Sequence, residues 1–237
     1  MTTVPGTAYG VTDDDRVQPL ESPLAFARRR FDGQFQIDAF GGDAQLMDLA
    51  GLVVALGVRV EVEHSERLPR IGGALLVANR GLGIVEPAAV AVAVRLAVGR
   101  RLRILGAPDT PVLADVLRKI GAVGYRADDV AALLRAGHLA AAPLASTWLR
   151  TGAGAPPREL LAAILGYPVV PAAVLPGGPG PLPIRPWRVI VGPVVETATD
   201  AVPGDTLAGA ELAERTRAAV NRLLETAREP GARTEPD

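Results

Sequence analysis

The chain has 237 residues, of which 49% are hydrophobic and only 4% aromatic. That length suffices for one large α/β domain, whose core must be packed mainly from Ala, Val and Leu. A formal charge of −1 gives no net pull toward nucleic acid, and the lack of cysteine excludes disulfides, a thiolate metal site and a cysteine nucleophile.

Other global features are similarly restrictive. Lys119 is the only lysine among 25 basic residues, which suggests a GC-rich genome more than a demand for guanidinium groups. The two histidines, His64 and His138, lack the close pairing of a helical zinc motif. No metal or bound cofactor is expected. The N-terminus, with Asp13, Asp14 and Asp15, has no secretory apolar core. The longest apolar stretch, Leu46 to Val58, contains Asp48 and falls short of the roughly 20 residues that a bilayer requires. A cytoplasmic location is expected, with contact at the inner face of the membrane left open.

Residues 1–23 and 229–237 are rich in Pro, Gly, Thr and Asp without periodicity, so both ends are expected to be mobile around a single domain spanning 24–228. Residues 43–57 predict a helix with Leu46, Leu49, Val53 and Leu56 on one face and Gly57 as its stop; core packing is the expected use of that face. Val58, Val60 and Val62 alternate with charged residues, the pattern of a half-exposed strand. Ala74 to Ala78 predicts a buried strand that leaves the sheet at Asn79. Glu86-Pro87 opens a segment ending near Gly99 whose Ala-Val alternation fits a helix or a strand.

Leu102 to Leu105 predicts another strand. Asp109 or Thr110 as N-cap, Pro111 in the first turn, the face Leu113, Val116, Leu117 and Ile120, and Gly121 as stop predict the next helix. Asp128 to Ala136 predicts a short helix, His138 to Leu144 a strand, and Pro157 to Leu165 a helix. Val169 to Leu175 and Trp187 to Val195 predict two strands around a Pro-rich loop. Leu212, Ala219, Leu223 and Ala227 line one face of a final helix, with Glu211 and Arg215 one turn apart. Strands alternating with helices imply an α/β fold with a mostly parallel central sheet covered on both faces.

Several segments, in order over roughly residues 45–228, resemble the glycerolipid acyltransferases of the PlsC type, which acylate lysophosphatidic acid or glycerol phosphate. Glu61 to Pro69 is similar to that family's first strand and turn, and Gly72 to Pro87 to its active-site strand and loop. Gly166 to Val174 fits its Gly-x-Pro-(Val/Ile)-Val-Pro pattern, and Trp187 to Pro193 the strand after it. The resemblance implies an acyl thioester, such as acyl-coenzyme A or an acyl carrier, as donor and a lysophospholipid or another alcohol as acceptor.

The chemical motifs depart from the family. Its active-site strand ends in Asn-His with Asp four residues later, where the His is the general base and the Asp orients it. The matching positions here are Asn79, Arg80 and Val85. A guanidinium with a pKa above about 12 has no free lone pair at neutral pH, and valine orients nothing. The family's Phe-Pro-Glu-Gly-Thr motif is replaced by Ala142-Pro143-Leu144-Ala145-Ser146-Thr147, with Arg150 beyond it. Loss at both motifs implies a catalytically degenerate member that binds acyl-lipid, phospholipid or a protein partner, and no catalytic residue is assigned. The alternative is an active acyltransferase with a rearranged site.

Each candidate binding residue has two readings. Arg80 either anchors a phosphate or carboxylate or pairs with Glu86. Glu86 is either a displaced carboxylate or an acidic start to the next helix. Asn79 forms a turn or contacts ligand. Ser146, Thr147 and Arg150 bind phosphate together or cap the next element. His138 falls at the start of its strand, whereas ligand crevices lie outside the carboxyl ends. Arg28 to Arg30 and Arg100 to Arg103 can meet anionic headgroups or form solvated faces.

Overall fold

A computed structural model describes residues 15–19, 21–34, 37–79, 85–106, 111–143, 158–177, 186–196 and 201–228. The elements in chain order are α1 (Pro23–Phe31), α2 (Ala44–Gly57), β1 (Val60–Glu63), β2 (Ala74–Ala78), α3 (Val85–Val98), β3 (Leu102–Leu105), α4 (Pro111–Lys119), β4 (Ala122–Val123), α5 (Ala127–Arg135), β5 (Leu139–Pro143), α6 (Arg158–Ala163), β6 (Val169–Leu175), β7 (Trp187–Val191) and α7 (Thr206–Arg228). The strands form one sheet in the order β1-β7-β6-β2-β5-β3-β4. Every neighbouring pair is parallel except β6 with β7.

Side chains alternate across this sheet, as the pleat requires. Leu75 and Val77 of β2 pack with α5, α6 and α7, while Ala74, Leu76 and Ala78 pack with α3. Both faces are covered, so β2 is buried at every residue. The resulting α/β architecture, mostly parallel with helices on both faces, is the expected one. Small residues permit close layers: a Cβ on Gly73 would overlap the Leu134 carbonyl at the end of α5.

Some details differ from expectation. The segment after Glu86 is a helix, because burying its Ala and Val residues along one side covers the sheet. The buried stripe of α7 is Gly209, Leu212, Ala213, Thr216 and Val220, whereas Ala219, Leu223 and Ala227 are only partly buried. Gly209 sets the rotation, since a Cβ there would overlap Ala162 and the Arg158 carbonyl of α6. The helix α1 and the two-residue β4 carry too little periodicity to be expected. Residues 15–19 are not a loose end, since Asp15 is only 2% exposed. The N-cap positions Asp109 and Thr110 lie outside the described residues, as does most of the Pro-rich loop.

The largest reversal is α2. Its buried residues are Gln45, Met47 and Asp48, while Leu49, Leu52, Val53 and Leu56 are exposed. Asp43 caps the helix, its side chain accepting from Leu46 N–H at 3.0 Å. Asp48 then fixes the rotation: it accepts from Arg101 Nε (3.1 Å) and Nη2 (2.7 Å), from Arg95 Nη1 (3.1 Å) and from Gln18 N–H (3.1 Å). The carboxylate turns inward to meet these donors, and the leucine face therefore turns out.

Candidate functional site

Adjacent strands β2 and β5 send their chains to opposite faces, β2 to α3 and β5 to α6. Such a switch point opens a crevice outside the carboxyl ends of the two strands, where Ala78 stands opposite Pro143. Of the expected binding residues, Asn79 directly follows β2 at this edge. Arg80, Ser146, Thr147 and Arg150 lie outside the described residues, and so does any pairing of Arg80 with Glu86.

Asn79 is committed to the sheet. Its Nδ2 donates to Val174 C=O at 2.9 Å and its Oδ1 accepts from Val174 N–H at 2.5 Å, adding a side-chain rung after the β2–β6 ladder. Both polar ends of the amide are thus used, which supports neither a turn-forming nor a ligand-binding role. Glu86 stands in the first turn of α3, where its charge meets the helix dipole favourably. Its Oε2 is buried without a hydrogen-bond partner among the described residues. Tyr125, two residues past β4, buries its hydroxyl in the same unpartnered way, and burial pushes its ionisation well above the usual range.

The opposite edge holds a charged network that sequence reasoning missed. Arg100 is 2% exposed, and its guanidinium reaches the Asp15 carboxylate and the carbonyls of Pro69, Gly72 and Gly137. It ties together the starts of β2, β3 and β5. His138 Nδ1 lies 3.2 Å from Asp15 Oδ1 and its ring meets Phe40 edge-on, so this histidine is part of the structural cluster at the amino ends of the strands. Arg103 meets Asp38, and Arg101 meets Asp48. Arg100, Arg101 and Arg103 are therefore neither a solvated face nor a headgroup contact. A run of arginines is ambiguous in sequence because its carboxylate partners, Asp15, Asp38 and Asp48, are 50 or more positions away.

Between the two edges runs an apolar groove of about 260 Å³. Its floor is a stripe of α3 (Pro87, Ala88, Ala91, Val92) with Leu102 and Ile104 of β3. One wall is α2 and the other is Leu117 and Ile120 at the end of α4. Val17, Asp48, Arg95 and Arg101 close the far end. This explains the α4 face: Leu117 lines the groove, while Val116 is 54% exposed. Among the described residues, no group of three or more His, Cys, Asp or Glu can hold a metal ion, and no helix is long and apolar enough to cross a membrane.

No protein-family model matches the chain. Uncharacterized proteins of Mycobacterium tuberculosis and Mycobacterium bovis are each 29% identical to it, over 90% of this chain and 75% of the relative. An uncharacterized protein of Mycobacterium leprae is 33% identical over 52% of this chain and 37% of its own length. The similarity to the first two runs through nearly the whole chain, so the α/β domain is matched as a unit.

Proposed function

We propose that this protein is a catalytically degenerate relative of the glycerolipid acyltransferases that binds an acyl-lipid or phospholipid without transferring the acyl group. The observation that carries the reading is the aliphatic groove along α3, which offers a hydrocarbon chain a lining of Ala, Val, Leu, Ile and Met side chains. The exposed Leu52, Val53 and Leu56 of α2, with Leu96 of α3, add an apolar surface suited to the inner face of a membrane or to a protein partner. Acyl-coenzyme A or an acyl-carrier thioester is a ligand in this reading, not a consumed donor.

A second reading has one observation in its favour, the Oε2 of Glu86, buried without a hydrogen-bond partner among the described residues. A carboxylate there can accept the proton of an alcohol whose oxygen attacks the thioester carbonyl as the thiolate leaves. The two readings separate in one experiment: purified protein is incubated with acyl-coenzyme A and lysophosphatidic acid while binding and free thiol are both followed. Binding without thiol release is the expected result. Thiol release that disappears in Glu86→Gln overturns the degenerate reading, and absence of all binding overturns both.

A further inference from the structure

The geometry points to a free medium-chain fatty acid as the groove's ligand, lying with its carboxylate on Arg95 and its chain along α3 toward Pro87. This rests on the lipid-binding reading and narrows its ligand, for this groove, from acyl-lipids and phospholipids to the free acid. The length comes from the helix. Pro87, Ala88, Ala91, Val92 and Arg95 form one stripe of α3, about 12 Å long at about 1.5 Å rise per residue. An extended chain of tetrahedral atoms advances about 1.2 Å per bond, so the stripe accommodates roughly ten carbons.

The polarity comes from the far end. Asp48 is shared by two guanidinium groups, Arg95 and Arg101, while Asp15 is taken by Arg100. Arg95 spends only Nη1 on Asp48; its Nε and Nη2 make no hydrogen bond among the described residues, and its side chain is 21% exposed at the groove. That remaining edge of the guanidinium is a planar two-donor fork, which matches a carboxylate. A phosphate, with its greater charge and third oxygen, would ask for donors that one fork does not supply. A neutral alcohol or ester would leave the fork unanswered. The groove therefore selects for an anionic carboxylate head on an aliphatic tail, at the edge of the sheet opposite the crevice where β2 and β5 diverge.

The test is calorimetric titration of the full chain with decanoate, octanoate, 1-decanol and lysophosphatidic acid, on the wild type and on Arg95→Met and Ala91→Leu. Circular dichroism checks the fold of each variant, and Asp48 keeps Arg101 and the Gln18 N–H when Arg95 is replaced. Decanoate is expected to bind about ten- to a hundredfold more tightly than decanol, the worth of a charge-assisted hydrogen-bonded pair. Removing two methylenes should weaken binding roughly fifteenfold, at about fourfold per methylene. Arg95→Met should bring decanoate to the level of decanol without moving decanol, and Ala91→Leu, which fills the floor, should weaken both. Equal affinities for decanoate and decanol in the wild type overturn the inference, as does an Arg95→Met variant that weakens both alike. Binding of lysophosphatidic acid but not decanoate refutes the inference and spares the lipid-binding reading; if neither binds, both fail.

Discussion

Replacing Asp48 with Asn tests the electrostatic origin of the orientation of α2. The carboxylate is 0% exposed and answers four donors, two from Arg101, one from Arg95 and the Gln18 N–H. Asn fits the same space and has nearly the same helix propensity, so the change isolates the charge. It leaves the Arg101 guanidinium, whose side chain is 4% exposed, without that carboxylate. Breaking a buried pair from one side costs about 3–5 kcal/mol. For a chain of this size each kcal/mol lowers Tm by about 2–4 °C, so a fall of roughly 6–20 °C is expected in thermal unfolding followed by circular dichroism. Asp115→Asn is the control, because Asp115 pairs with Arg118 on the surface with its side chain 70% exposed; it should cost under about 1 kcal/mol. Asp48→Leu combined with Arg101→Met should recover part of the loss, since an apolar pair replaces the broken buried ion pair. If Asp48→Asn unfolds within a degree or two of the control, the ion network does not hold α2 and the account of its reversed face fails.

Four further outcomes follow from the same geometry. Asn79→Ala should cost about 2–3 kcal/mol in denaturant unfolding, because it strands the N–H and C=O of the buried Val174; a loss of ligand affinity with unchanged stability would instead make Asn79 a binding residue. Tyr125→Phe should stabilise the fold by ~1 kcal/mol by removing an unpartnered buried hydroxyl. Since burial raises the folded-state pKa of Tyr125, its ionisation leaves stability unchanged well below the unfolded value of about 10 and destabilises the fold as pH rises above it; wild-type stability should therefore fall about 1 kcal/mol more than that of Tyr125→Phe over the first unit above pH ~10. Leu56→Gln should change stability by no more than about 0.5 kcal/mol, against the 2 kcal/mol or more lost when a buried leucine is truncated, and should weaken binding to phospholipid vesicles if the exposed face meets a membrane.

What could be read in the chain, and what could not, divides along the range of the forces involved. Strands β2, β3 and β6 coincide with their expected limits because an apolar run between turn residues reflects burial on both faces, a property local to each segment. Helix α2 starts at its Asp43 cap, and α4 and α5 stop just before Gly121 and Gly137, both at positive φ, because capping and glycine termination act within one turn. The crevice was legible as a place, since the carboxyl end of β2 and its neighbour follow from βαβ order. The role of Asn79 was not, because its partner Val174 lies 95 residues away and the bond joins a side chain to the backbone. The same limit governs α2, the clearest failure. Its leucines carry a periodicity that ordinarily marks a core face, and nothing within the helix contradicts it, since Asp48 on the opposite face reads as the solvent side. The helix could bury its leucines only by taking Asp48 out of a network with Arg95 and Arg101, 47 and 53 residues ahead. The ionic partners prevailed because taking a fully buried carboxylate away from its four donors costs more than leaving a few leucines half wet, at about 25 cal/mol per Å² of apolar surface. An isolated acid opposite the apolar stripe of a helix is thus a reason to search the rest of a chain for buried arginines, here the run Arg100 to Arg103, before assigning that stripe to the core.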